Sequence, residues 1–221
     1  MGKVTSIHDL IRYINNELYN VYSEHEINSL IEIIMNHVVK LKKTDLHIYA
    51  EKTLSLQQIQ KIEDITRQLK NHKPIQQIIG ETEFYNISLK IHPHILIPRQ
   101  ETEELVDWII KDAAHEKKKI LDIGTGSGCI AIALAKNLPG SRVTAVDYKQ
   151  EILDAARENA ALNDVNIRFI LADILNESLP PEQYDLIVSN PPYVRTSEKK
   201  FMQRNVLDYE PFEALFVHDK N

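Results

Sequence analysis

Lys119-Ile120-Leu121-Asp122-Ile123-Gly124-Thr125-Gly126-Ser127-Gly128 is an apolar run that breaks into glycines, and Cys129-Ile130-Ala131-Ile132-Ala133-Leu134-Ala135-Lys136 follows it at once. A strand-length run, a tight turn and a helix-forming stretch make one βα unit. Half of the chain's six glycines fall within residues 124–128, which marks a turn that needs positive φ or close approach to its backbone. The helix after it presents free N–H groups at its start. The turn lacks the Gly-Lys-Ser/Thr of a P-loop and the usual dinucleotide spacing; alone it is a weak motif, with a plain strand-to-helix turn as the lesser alternative. Asp122 is placed either to tie down the loop or to face an amino group of a ligand.

Toward the C-terminus the alternation continues, with strands expected over 142–146, 166–171 and 186–189 and a helix over 150–162. Strand and helix in alternation imply right-handed crossovers and an α/β fold, a Rossmann-like doubly wound parallel sheet. Such sheets hold ligands at the carboxyl ends of their strands. The second strand ends in Asp147, whose carboxylate is placed to accept both hydroxyls of a ribose. The third ends in Ala172-Asp173-Ile174, where Asp173 either receives the exocyclic amine of an adenine or caps a helix, with Ile174 and Tyr148 as apolar walls. These ends describe a nucleoside pocket.

The fourth strand, Leu186-Ile187-Val188-Ser189, stops in Asn190-Pro191-Pro192-Tyr193. Successive prolines fix φ and donate no N–H, so the carbonyls of Asn190 and Pro191 are held rigidly. An amide oxygen and fixed carbonyls accept hydrogen bonds from a planar NH2 while the Tyr193 ring packs on its flat face. Methyl transfer to an amide or amino nitrogen needs that arrangement. An amide lone pair is delocalised, so alignment and hydrogen-bond acceptance are expected to carry the reaction, with neither a catalytic nucleophile nor a metal. Cys129 is expected to pack against the sheet rather than act as a thiol.

Toward the N-terminus, Thr5 to about Leu69 holds no glycine and no proline, and reads as helices. Ile7, Leu10, Ile11 and Ile14 recur at helical spacing, Ser23 and Glu26 form a capping box, and Ser55 caps a helix facing inward with Ile59, Ile62, Ile65 and Leu69. The expected organisation is a small helical bundle over 1–73, a hairpin linker over 74–104 and a sheet domain over 105–221. In the linker Ile87, Leu89 and Ile91 alternate with polar residues, and Ile95-Leu96-Ile97 is expected as a short strand ended by Pro98. The histidines share no metal-ligand spacing. A net charge of −6 disfavours a protein whose affinity comes from coating phosphates, and the single cysteine excludes an intrachain disulfide. With no signal core or apolar span, the chain is expected to be cytoplasmic and off the membrane.

The glycine turn, the downstream Asp147 and Asn-Pro-Pro-Tyr together resemble a class I S-adenosylmethionine-dependent methyltransferase. The tetrapeptide alone is shared with N6-adenine methyltransferases of DNA and RNA. Pro74-Ile75-Gln76-Gln77-Ile78-Ile79-Gly80, Phe84, Ile97-Pro98-Arg99-Gln100-Glu101-Thr102-Glu103 and Tyr209-Glu210-Pro211-Phe212-Glu213-Ala214-Leu215 resemble the release-factor glutamine N5-methyltransferases, the PrmC/HemK type. Gln100 stands where that family has Pro. The resemblance implies that the N-terminal domain recognises the substrate protein, a peptide-chain release factor, and that the glutamine of its Gly-Gly-Gln loop is methylated without direct contact to DNA. It further implies that Gly124, Thr125, Gly126, Ser127, Gly128, Asp147, Tyr148, Asp173, Ile174 and Asn190 bind S-adenosyl-L-methionine, while Asn190, Pro191, Pro192 and Tyr193 clamp the glutamine. Arg99 and Glu103 are expected to brace the linker. Alternatives are adenine methylation and a non-catalytic S-adenosylmethionine-binding module. The family's sheet has seven strands and four are legible here, so the chain is expected to be C-terminally truncated, with an unpaired apolar edge at 186–189.

Overall fold

A computed structural model describes residues 6–113, 116–217 and 219; Thr5, where the helical pattern starts, lies outside them. The chain forms two compact units, Met1–Ile79 and Gly80–Asn221.

In the first unit, α1 (Ile7–Leu18), α2 (Glu24–Val39), α3 (Lys43–Ile48), α4 (Leu56–Lys70) and α5 (Ile75–Ile79) surround one apolar core. The Ser23–Glu26 box opens α2, Ser55 with Gln58 opens α4, and a third box, Ser6 with Asp9, opens α1. Each serine oxygen accepts an otherwise orphaned helix N–H, which sets where the helix begins. Ile7, Leu10, Ile14 and Leu18 are fully buried, as are Ile34 and Ile62.

The second unit opens with a hairpin, β1 (Glu81–Phe84) and β2 (Ile87–Lys90), closed by Tyr85 and Asn86 at φ 42° and 60°. Two consecutive residues in the left-handed region make the tight turn whose twist suits a hairpin. The hairpin packs as part of the sheet domain: Phe84, Ile87 and Leu89 belong to its core. The segment 75–79 is helical and goes with the first unit, so the units divide at Ile79/Gly80, within the stretch 74–104.

Ile95-Leu96-Ile97 is not a strand, contrary to its apolar pattern. Pro93 and Pro98 bracket it, the Ile95 N–H turns back to the His92 carbonyl at 3.2 Å, and both isoleucines are buried by packing rather than by pairing. Helix α6 (Gln100–Asp112) follows. Then come β3 (Lys119–Ile123), α7 (Cys129–Asn137), β4 (Arg142–Asp147), α8 (Gln150–Leu162), β5 (Arg168–Leu171) and β6 (Leu186–Ser189). The four strands are parallel in the order β5-β4-β3-β6. The chain works outward from β3 through β4 to β5, then crosses back to place β6 on β3's other side. A crevice at the carboxyl ends follows from that reversal.

Strand β6 has no partner on its outer side among the described residues, and Ile187 there is 63% exposed beside Trp108 of α6. Beyond β6 come β7 (Val194–Arg195), a 3-10 turn (Thr196–Phe201), α9 (Arg204–Tyr209), α10 (Phe212–Leu215) and β8 (Phe216–Val217), which pairs with β7. This tail folds back over the crevice.

Candidate active site

A cavity of about 620 Å³ lies at the carboxyl ends of β3, β4, β5 and β6, walled by the segment 94–99 and by residues 211–214. Its floor is the glycine turn. The N–H groups of Gly124 and Thr125 donate to the Val146 carbonyl at 2.9 and 3.0 Å, and the Gly126 N–H donates to Asp147 Oδ2 at 3.0 Å. A side chain at Gly126 would point into open space, its Cβ meeting only Ile95 Cγ2 at 4.0 Å, so the turn's backbone is bare toward the cavity. Gly128 serves packing instead: at φ 81° its Cβ would lie 3.0 Å from Ile132 Cδ1 and 3.2 Å from the Ala156 Cβ of α8. Gly128→Ala is expected to cost about 2 kcal/mol from the left-handed backbone and the crowding. Urea unfolding measures this, and an unchanged midpoint would contradict the packing account.

The two placements open to Asp122 resolve toward the loop. It is fully buried, accepts the Thr125 hydroxyl on Oδ2 at 2.7 Å, and does not line the cavity. Burial pushes its carboxyl up to about 6, against the pull of Thr125. Asp147 does line the cavity and is 6% exposed. Its Oδ1 accepts the Tyr148 N–H at 2.9 Å, so each oxygen already holds backbone. Burial raises its carboxyl, and the N–H groups of Gly126, Tyr148 and Lys149 work the other way.

Asp173 lines the cavity while behaving as a local cap: Oδ1 accepts the Leu175 N–H at 3.0 Å and Oδ2 the Asn176 amide at 2.8 Å. Ile174 and Tyr148 line it too, each partly exposed. Thr125 and Ser127 are buried in the turn, and the Ser127 carbonyl accepts from Asn159 Nδ2 at 3.0 Å. The thiol of Cys129 is pushed up to about 12 by burial, which keeps it protonated and unreactive.

Asn190, Pro191 and Pro192 line the opposite wall. The Ser189 hydroxyl donates to the Ile123 carbonyl at 2.8 Å and pins the strand end that carries them. Asn190 Nδ2 donates to Thr102 Oγ1 at 3.2 Å. Tyr193 stands apart, 74% exposed and outside the cavity lining.

Several residues here escaped the sequence reading. Asn159, wholly buried on α8, links the glycine turn to the hairpin, accepting the Lys90 N–H at 2.7 Å and donating to the Lys90 carbonyl at 3.2 Å. An asparagine inside the alanine-rich face of 150–162 was the available signal. Glu210 takes both of its short contacts, 2.6 and 2.7 Å, from one Arg99 nitrogen. This joins the loop before α6 to the tail, and Glu103 takes no part in it. Glu213 accepts the Tyr148 hydroxyl at 2.6 Å and pairs with Lys149, setting Phe212 at the cavity mouth.

The cavity therefore offers bare backbone and a buried carboxylate on one side, and a rigid amide and carbonyl on the other. Residues 101–208 match the family described as methyltransferase small domain, and residues 9–80 match the PrmC N-terminal domain. The chain is similar to the release factor glutamine methyltransferase of Flavobacterium psychrophilum, 48% identical over 92% of this chain and 73% of that protein. It is also similar to the protein of the same name from Bacteroides thetaiotaomicron, 40% identical over 95% of this chain and 75% of that one. Among solved structures, the Pyrococcus abyssi tRNA (uracil-54, C5)-methyltransferase in complex with S-adenosyl-L-homocysteine aligns at 23% identity and a TM-score of 0.43, over 58% of this chain and 30% of that one.

Proposed function

The chain belongs to the release factor glutamine methyltransferase family, and from that membership we propose that it methylates the side-chain nitrogen of the glutamine in the Gly-Gly-Gln loop of a bacterial peptide-chain release factor, using S-adenosyl-L-methionine. The observation that carries the assignment of roles is the meeting of the Asn190 amide with the Asp147 and glycine-turn wall in one cavity.

The cofactor supplies an electrophilic methyl group on a sulfonium. Its nucleoside fits the chain's own groups: the turn at 124–128 is open to a ligand at Gly126, and the Asp147 carboxylate lines the cavity with acceptor capacity left for a ribose hydroxyl. Thr125, Ser127 and Gly128 hold the turn in shape, while Tyr148, Asp173 and Ile174 line the base end. On the facing wall the Asn190 oxygen and the Pro191 carbonyl accept the two N–H bonds of the substrate amide. Those acceptors favour positive charge on nitrogen as the N–C bond forms and the S–CH3 bond breaks to leave a neutral thioether; the surplus N–H proton then passes to water, so no base is needed before transfer. Alignment of this kind supplies up to roughly 7–11 kcal/mol of barrier reduction. Pro192 stiffens the segment, and Tyr193, exposed beside it, meets the protein substrate rather than its glutamine.

The first unit, expected over 1–73 and extending to Ile79, recognises the release factor. The enzyme works in the cytoplasm and on protein. A net charge of −6 supports protein over DNA as substrate, and among the described residues no helix is long and apolar enough to cross a membrane.

The test is methyl transfer to a purified release factor and to DNA side by side. A methyl on the loop glutamine alone supports the reading; methyl on DNA alone overturns it. Replacing Asp147 by Asn removes the charge and sets a donating NH2 against the N–H of either Gly126 or Tyr148, since both carboxylate oxygens accept backbone. Cofactor affinity by calorimetry is expected to fall about tenfold, and an unchanged Kd would remove Asp147 from the cofactor site.

A further inference from the structure

We propose that Thr102 is a positioning residue that holds the Asn190 amide in the place where its oxygen can accept from the substrate, an inference that rests on the methyl-transfer reading above. A primary amide presents a donor end and an acceptor end of nearly the same shape, related by a half-turn of its terminal torsion. Only one end suits a substrate NH2. With the oxygen toward the cavity, Asn190 accepts; turned over, it opposes its own NH2 to that of the substrate, donor against donor.

Thr102 engages the donor end. Its Oγ1 accepts from Asn190 Nδ2 at 3.2 Å, across 88 residues of chain. With the nitrogen engaged, Oδ1 lies on the other side of the planar group. Both residues line the cavity, and Thr102 is itself buried at 8% exposure. The hydroxyl is well held. Thr102 stands in the first turn of α6, where its N–H donates to the Arg99 carbonyl at 3.1 Å, and Arg99 is tied to Glu210. A β-branched side chain also has few rotamers to choose from. On the partner side, the Ser189–Ile123 hydrogen bond fixes the strand end just before Asn190.

The experiment compares Thr102→Val and Thr102→Ser in the full chain, with purified release factor and saturating S-adenosylmethionine. Valine keeps the shape and removes the acceptor, and kcat is expected to fall about ten- to hundredfold, with KM for the release factor within about twofold. Serine restores the hydroxyl and is expected to keep kcat within about threefold of the parent. Equal rates for valine and parent, an equal loss with serine, or a loss carried by KM would each overturn the proposal. Thr102→Ala gives the same comparison if valine does not fold. The Asn190 side-chain NH2 signals in a ¹⁵N–¹H spectrum provide a readout without turnover: one proton is expected to shift upfield when the hydroxyl is removed, and no shift overturns the proposal. A parent chain that methylates nothing defeats the functional reading and this inference together; an active parent with an indifferent valine variant defeats this inference alone.

Discussion

Asn190→Ala is expected to reduce kcat for release-factor methylation by about 10²–10³-fold, the range for removing one preorganised hydrogen-bonding group from a transition state. The side chain stands on the cavity wall at the end of β6, and in the proposed reaction its oxygen accepts from the substrate NH2. Charge builds on the substrate nitrogen only as the methyl arrives, so the interaction strengthens during the reaction. The loss should therefore sit in kcat, with KM for the release factor little changed. Single-turnover transfer followed by mass spectrometry of the loop peptide measures it. A kcat unchanged in the variant would mean that the fixed carbonyls alone hold the nitrogen.

Arg99→Ala is expected to lower stability by about 3 kcal/mol, near the low end for breaking a buried ion pair because the Arg99 side chain is 35% exposed. Its partner Glu210 has a side chain only 2% exposed, and without the guanidinium it becomes a lone buried carboxylate. Burial already raises the Glu210 carboxyl, with Arg99 and the Ile97 N–H pulling it down. Deleting Arg99 lifts it further. A carboxyl raised in the folded state loses stability as pH climbs through its folded value, so the variant should be weakest at neutral pH. The deficit should narrow as acidification protonates Glu210. Urea unfolding at neutral and mildly acidic pH gives the comparison, and adding Glu210→Gln to the variant should recover part of the loss at neutral pH. A deficit independent of pH would mean that packing, not charge, joins the tail to the loop.

Much of the architecture is legible along the chain because its causes are local. Ser23 with Glu26 and Ser55 with Gln58 act within one helical turn, and the glycines at 124–128 mark their own turn. Asp147 is legible as the end of an apolar strand. What the sequence hides depends on residues far apart. Thr102 meets Asn190 across 88 residues and Arg99 meets Glu210 across 111, and neither threonine nor glutamate looks unusual among its neighbours. Ile95–Ile97 misleads for a related reason: a short apolar run is buried equally well by pairing or by packing, and only the absence of an adjacent strand decides. Tyr193 shows the same limit, since its sequence position fixes its place in the chain but not the exposed direction it takes.

The order β5-β4-β3-β6 also sets a sequence of events during folding. Strand β3 finds β4 over an interval of 23 residues but finds β6 only over 66. The longer closure costs roughly 1 kcal/mol more in chain entropy, and β6 leaves the ribosome after the other three strands of its sheet. The β3–β4–β5 side of the cavity is thus assembled before the wall that carries Asn190, and the tail at 211–214 closes over it afterwards. A chain halted between those steps would hold the methyl donor with nowhere to deliver it, so cofactor binding is a poor reporter of complete folding. Methyl transfer reports it directly.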